Sequence, residues 1–502
     1  MSTAVFFRPE HGWVGDVIPV QNDGEFLLFY LHELRDEPKP GTAWSLVATR
    51  DFVTYEDRGV AIPHGNADAD DFNAYTGSVV VDDEGVARLF YTGHNPRHLG
   101  PDGITAVQLV MQAESRDGMK TWTKLPELTF GAPDGFEPGD WRDPYVFRPD
   151  PTGPWRMVLA ARHKDGPSRR RGLLAQMTSE DLRTWIPAEP FWDPRRYVTH
   201  ECPDIFQWGD WWYLVYSEFS ENFTTRYRIA KSPDGPWRVP DHESVDGRAF
   251  YASKSVERDG RRFFVGWIAS KEGDADDGDY QWAGTMSVLE ATQRSDGSLA
   301  FSHPAELAAT FSEPSRIDFV DAHDRADVSL PATRTVRDGY ASLTSTSEIP
   351  STAFISTRLF IDEDTTECGL LLRSTVDGDE SYVLRLEPRR SRIVFDRWPR
   401  KITGPMQWQI SGDVPHAIEL ERPCELDPGE HTLDVLLDGS LFVAVVDNTV
   451  ALSGRMYDRT DGHLGLFVGE GSVTFLETNI FTRASGFADT QASEPSTLTT
   501  TH

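Results

Sequence analysis

Five times in its first three hundred residues the chain returns to a short apolar run rich in aromatic and branched side chains, and this recurrence narrows its fold sharply. The runs are 26–30, 87–91, 155–159, 211–216 and 262–267. Their starts lie roughly 50–70 residues apart, a spacing typical of propeller blades. A second signature follows most of them: a small hydroxyl residue, an acidic residue, then an aromatic. It reads Thr49-Arg50-Asp51-Phe52, Ser115-Arg116-Asp117 before Trp122, Ser179-Glu180-Asp181 before Trp185, and Ser232-Pro233-Asp234 before Trp237. In each the Asp begins a turn after a strand. No segment here sustains a helical period. The pattern predicts an all-β chain opening with a five-bladed β-propeller of four-stranded blades over about residues 1–310.

Beyond about residue 315 the texture changes to short strands separated by turns at intervals often near ~8–12 residues, which predicts a β-sandwich over 315–485. Residues 486–502 are rich in Ser, Thr and Ala without an apolar pattern and read as a disordered tail. A chain of 502 residues with 39% hydrophobic side chains has the material for two such cores.

Three short acidic motifs precede apolar runs: Trp13-Val14-Gly15-Asp16, Trp141-Arg142-Asp143-Pro144 and His200-Glu201-Cys202-Pro203-Asp204. The innermost strands of a propeller line its axis, so Asp16, Asp143 and Glu201 are expected at equivalent inner-strand positions around one funnel. Hydrolysis of a glycosidic bond needs a carboxylate nucleophile or base, a protonated carboxyl and negative charge near an oxocarbenium-like centre. Three converging carboxylates would supply that set.

A formal net charge of −31 argues against nucleic-acid and anionic-membrane partners, while a neutral sugar is compatible with it. Three cysteines, Cys202, Cys368 and Cys424, form neither a disulfide framework nor a zinc site. His32, His94, His98, His163 and His200 make no ligand constellation, and the acidic stretch 274–279 lacks the full calcium-loop pattern and reads as a solvated loop. Ser168-Arg169-Arg170-Arg171 reads as an exposed basic turn. The expectation is therefore no metal and no cofactor. The N-terminus shows no basic segment followed by a long apolar core, which suggests a cytoplasmic location. The oligomeric state, homo-oligomer included, stays open.

The ordered Trp-x-x-Asp, Arg-Asp-Pro and Glu-Cys motifs, on a propeller followed by a sandwich, resemble glycoside hydrolase family 32, the β-fructofuranosidases of invertase, inulinase and levanase type. Tyr75-Thr76-Gly77-Ser78 is similar to the family's second-blade motif. Phe250-Tyr251-Ala252 and 264–268 are similar to its fifth-blade pattern, and 465–472 to its final sandwich strands. The resemblance implies Asp16 as nucleophile, Glu201 as acid/base and Asp143 as the carboxylate that grips sugar hydroxyls and stabilises the transition state. Arg142 would hold Asp143 ionised and contact substrate, and Cys202 reads as a small buried filler. Trp13, Trp44, Tyr75, Ser78 and Trp267 complete the expected sugar-binding set.

Two positions depart from the family pattern. Gly15-Asp16-Val17-Ile18-Pro19 stands where Asn-Asp-Pro-Asn-Gly is usual, and Leu31 stands where Gln is common. Both lost side chains ordinarily help fix the fructosyl ring, so their absence bears on sucrose as substrate more than on the chemistry. The resemblance implies a retaining, exo-acting hydrolase or transglycosylase of fructofuranosides. A hydrolase of another furanoside, such as an arabinofuranoside, and a carbohydrate-binding propeller without turnover are the alternatives. The sandwich is expected to be structural.

Overall fold

In the computed structural model, which describes residues 2–399 and 419–487, the chain is all-β: a five-bladed β-propeller followed by a β-sandwich. Most of the expected tail, 488–502, lies outside the described residues. The described residues form two compact units, one of residues 6–269 and 282–299, the other of 2–5, 270–281, 300–399 and 419–487. No helix among the described residues is long and apolar enough to cross a membrane.

Each blade is an antiparallel meander beginning with an inner strand. The inner strands are Trp13–Asn22, Asn73–Val81, Phe136–Phe147, Glu201–Trp208 and Phe250–Arg258. The recurrent apolar runs are the second strands, such as Glu25–Glu33 and Trp155–His163, buried on both sides and therefore nearly continuous in hydrophobicity. The fourth blade has three full strands, Glu201–Trp208, Trp211–Glu218 and Thr224–Ala230, and its edge is reduced to bridges at Arg238 and Ser244. The ring closes where Gly284 pairs with Val14 of the first inner strand. The core lies in wedges between successive blades. One wedge joins Leu27, Phe29, Trp44 and Tyr91, and the next joins Phe90, Trp141, Leu159 and Leu173.

The recurrent hydroxyl–acid signature has a direct physical cause. Asp51 Oδ1 accepts the backbone N–H of Val53 at 2.9 Å and of Thr54 at 2.8 Å, while Thr49 Oγ1 accepts that of Phe52 at 2.9 Å. Ser179 and Asp181 do the same for Leu182, Arg183 and Thr184. The residue after each Asp adopts positive φ, 56° at Phe52 and 60° at Leu182, and this turns its side chain into the blade core. The carboxylate thus satisfies the N–H groups that the sharp turn frees.

In the second unit, the 21-residue strand His463–Arg483 joins Glu367–Ser374 and Thr352–Ile361 into one continuous sheet. One edge pairs with Ala332–Glu348 from His463 to Phe475, while the other pairs first with Glu367–Ser374 and then with Thr352–Ile361. The change of partner falls at Glu470 and Gly471, with φ of 52° and 143°. This places the glycine-rich stretch noted in the sequence where one edge of the strand changes partner.

The acidic stretch 274–279 departs from the expected solvated loop. Asp276 is buried and accepts the Tyr382 hydroxyl at 2.5 Å and the Tyr457 backbone N–H at 2.8 Å. A buried carboxylate needs such donors, and sequence pattern cannot reveal partners so remote.

Candidate active site

All five inner strands carry a one-residue bulge at the same place. Register slips between Val14 and Val17, Tyr75 and Gly77, Arg142 and Tyr145, Glu201 and Asp204, and Tyr251 and Lys254. Aligned on the bulge, Val14, Tyr75, Arg142, Glu201 and Tyr251 come first. Gly15, Thr76, Asp143, Cys202 and Ala252 come second; Asp16, Gly77, Pro144, Pro203 and Ser253 come third. The three carboxylates therefore do not occupy equivalent positions, as a regular strand would require. Glu201 is first, Asp143 second and Asp16 third. A bulge breaks strict alternation and re-aims side chains, which lets unlike register positions meet. Asp143, Cys202 and Ala252 hold φ of 57°, 51° and 51°. Left-handed backbone costs about 1–2 kcal/mol at a residue with a Cβ; here it falls among the acidic groups.

Cys202 joins two of the acids. Its backbone N–H donates to Asp143 Oδ2 at 2.9 Å, and its thiol points to Asp16 Oδ2 at 3.5 Å. It is buried, as expected of a filler, but it also ties the two carboxylates together. Asp16 Oδ2 further accepts the Thr76 hydroxyl, and Oδ1 accepts the Trp267 indole N–H at 3.0 Å. Glu201 accepts Arg142 Nη2 on Oε1 at 2.9 Å and the Tyr251 hydroxyl on Oε2 at 2.7 Å. Burial raises the pKa of all three acids above the ordinary carboxyl range. At Asp16 the hydrogen bonds from Thr76 and Trp267 oppose the rise; at Glu201 the Arg142 charge does. The side chain of Glu201 keeps 19% of its surface exposed, whereas Asp16 and Asp143 retain 8% and 4% as residues. Glu201 is thus the most solvent-accessible of the three carboxyl groups.

Arg142 acts on Asp143 through its charge, which lowers the Asp143 pKa. Its hydrogen bonds go to Asp140 at 2.6 Å, to Gln108 and Thr199 at 3.2 Å each, and to Glu201. The reason is register: Arg142 shares the first bulge position with Glu201, on the neighbouring blade. Tyr75 stacks on His94 with ring centroids 5.3 Å apart, and burial followed by the charges of Glu33 and Asp16 pushes its phenol up to about 12. Trp13 is half-buried, with its ring flanked by the guanidinium groups of Arg8 and Arg35 at 4.7 and 4.5 Å.

Two expected sugar contacts sit elsewhere. Trp44 is fully buried in the wedge between the first two blades and donates its indole N–H to the Tyr75 carbonyl at 3.1 Å. Ser78 donates to Pro144 O at 2.8 Å and accepts Val146 N–H at 3.0 Å, pinning the second inner strand to the third. It lines a cavity of about 480 Å³ whose wall includes none of the three catalytic candidates. Thr76 and Tyr251, which touch Asp16 and Glu201, lay inside quoted motifs without an assigned role. Phe223, stacked on Tyr251 at 4.0 Å, carried no sequence signal.

The family model "Glycosyl hydrolases family 32 N-terminal domain" matches residues 6–302, more than half of the chain. The chain belongs to glycosyl hydrolase family 32. Among curated relatives of this family 32 protein, it is 30% identical over 311 residues to "Sucrose-6-phosphate hydrolase" of Escherichia coli, covering 58% of this chain and 62% of the relative. It is also 30% identical over 271 residues to "Levanbiose-producing levanase" of Bacillus subtilis, covering 50% and 46%. The chain thus spans less than two thirds of these relatives' own length. The crystal structure of fructan 1-exohydrolase IIa from Cichorium intybus superposes with a TM-score of 0.71 at 17% identity, covering 95% of this chain and 96% of that one. That likeness is one of fold.

Proposed function

We propose that this family 32 protein is a retaining, exo-acting hydrolase of fructofuranosides. The observation that carries the reading is the joined cluster of Asp16, Asp143 and Glu201, two acids tied through Cys202 and the third held by Arg142 and Tyr251. Names of relatives that hydrolyse sucrose 6-phosphate or levan support the fructosyl substrate.

In this mechanism Asp16 attacks the anomeric carbon while Glu201 gives its proton to the leaving glycosidic oxygen, breaking that bond and leaving a fructosyl ester on Asp16. Glu201, now ionised, takes a proton from water, and the resulting hydroxide displaces Asp16 from the sugar. Asp143, held by the Cys202 N–H, places negative charge beside the oxocarbenium-like centre. An indole nitrogen only donates, so Trp267 favours an ionised Asp16. The Tyr251 hydroxyl can donate to an ionised Glu201 or accept from a protonated one, which suits a group that changes state twice.

Incubation with sucrose, sucrose 6-phosphate, levan and inulin, followed by product identification, tests the proposal. Released fructose, accompanied by glucose 6-phosphate when sucrose 6-phosphate is the substrate, is expected, and it should be lost in both Asp16→Asn and Glu201→Gln. Binding of these sugars without any product would establish the carbohydrate-binding alternative instead. A furanoside other than a fructoside as the sole substrate would overturn the sugar assignment while leaving the carboxylate chemistry.

A further inference from the structure

The side chain missing before Asp16 has its place already taken. A Cβ at Gly15 would lie 2.6 Å from Cη2 and 2.9 Å from Cζ2 of Trp282, and 3.1 Å from Cβ of Leu31. At such distances either the new side chain or the indole must shift. Trp282 arrives from the strand Tyr280–Gln293, two residues ahead of Gly284, at the seam where that strand pairs with Val14. Several contacts fix it. Its carbonyl accepts Arg35 Nη2 at 3.0 Å, and the same guanidinium lies over Trp13. Its ring meets Trp267 edge-on, with centroids 6.2 Å apart at 69°, and Trp267 is the residue whose N–H holds Asp16. Even so, Trp282 keeps 37% of its surface exposed. A large, held and partly open indole therefore stands over the bulge that carries Asp16.

We infer that Trp282 is a specificity-determining residue: an apolar wall beside Asp16 that contacts the sugar on the side where residues 15 and 31 offer no hydrogen bond. The inference rests on the furanosidase reading above and deepens it. The ligand class it selects is a furanoside that presents C–H surface to an indole there, a contact carbohydrates make with aromatic residues at little entropic cost. A wall of this kind contributes through area and shape. It discriminates between sugars by about 10–200-fold, whereas a site built to pair a hydroxyl rejects an analogue lacking it by about 10⁴–10⁵. Gly15 and Trp282 are then coupled: an Asn at position 15 and the indole at 282 compete for the same space.

A double-mutant cycle of Gly15→Asn and Trp282→Ala tests this, read as kcat and KM on whichever fructoside the wild type turns over, together with melting temperature. Gly15→Asn alone should lower kcat/KM by about 100-fold and lower the melting temperature, because its Cβ collides with Trp282. Trp282→Ala alone should raise KM by about 10-fold with kcat less affected, the mark of lost binding to ground and transition states alike. The double variant should regain at least about 10-fold in kcat/KM over Gly15→Asn, since residues in contact couple strongly. An active wild type whose two substitutions are additive, or a Trp282→Ala protein with unchanged KM, overturns this inference alone. A wild type inactive on every fructoside overturns the functional reading, and this inference with it.

Discussion

Trp267 and Tyr251 sit on the same blade and hold different acids, and this separates the two protonation states the proposed reaction needs. Each donates to an ionised carboxylate, and such hydrogen bonds lower a carboxyl pKa. Removing either one therefore moves its acid further up. Trp267→Phe is expected to raise the Asp16 pKa and shift the acid limb of the kcat/KM–pH profile upward. It should also cost roughly 10–100-fold in kcat/KM, the scale of a hydrogen bond to a charged group. Tyr251→Phe is expected to raise the Glu201 pKa, so the basic limb shifts upward and the protein stays active at higher pH than the wild type. A basic limb that moves down, or does not move, would contradict the assignment of Glu201 as the proton donor. The motifs containing Asp16, Asp143 and Glu201 were legible because each couples an acid to a turn-favouring or aromatic neighbour. The roles of Thr76, Tyr251 and Cys202 were not, since their contacts cross between blades and depend on where each strand bulges.

The bulge is the element that organises the site. It converts five otherwise similar inner strands into a ring whose first, second and third bulge positions can carry different chemistry. Gly77 shows how little room this leaves in the second blade: a Cβ there would drive into the Phe90 carbonyl and Tyr91 backbone of the neighbouring strand. Gly77→Ala is therefore expected to destabilise the protein by about 3 kcal/mol or more, since backbone cannot yield as a side-chain tip does. Chemical denaturation would measure it, and a loss below about 1 kcal/mol would mean that the strand pair relaxes more freely than this packing allows. Strands and turns were readable because their causes are local: apolar runs buried on both faces, and Ser or Thr two residues before an Asp that caps the turn. The bulges were not readable, because slipping by one residue leaves composition and spacing untouched. Trp44 and Ser78 were misplaced for the same reason: either fits a sugar site by chemistry, and only the register assigns them to packing and strand pairing.

At the scale of the whole molecule, the recurrent runs sufficed to read a propeller, because each blade repeats the same solution to burying a strand, and the change to short strands separated by turns marked the sandwich. What the repeat could not show is how the ring closes. The seam at Gly284 and Val14 brings Trp282 over Gly15, from the far end of the propeller sequence. It is also the ring that sets Asp16 of the first blade against Cys202 and Glu201 of the fourth. In the proposed mechanism this closure makes Asp16 a nucleophile served by Glu201. Trapping the covalent intermediate tests that most directly. In the Glu201→Gln protein, 4-nitrophenyl β-fructofuranoside needs no proton donor to depart, so the fructosyl group should load onto the enzyme faster than water removes it. Peptide mass analysis after rapid acid quench is predicted to find one fructosyl group on the peptide bearing Asp16. An adduct on any other residue, or full release of nitrophenol with no adduct and inverted product stereochemistry, would contradict the account.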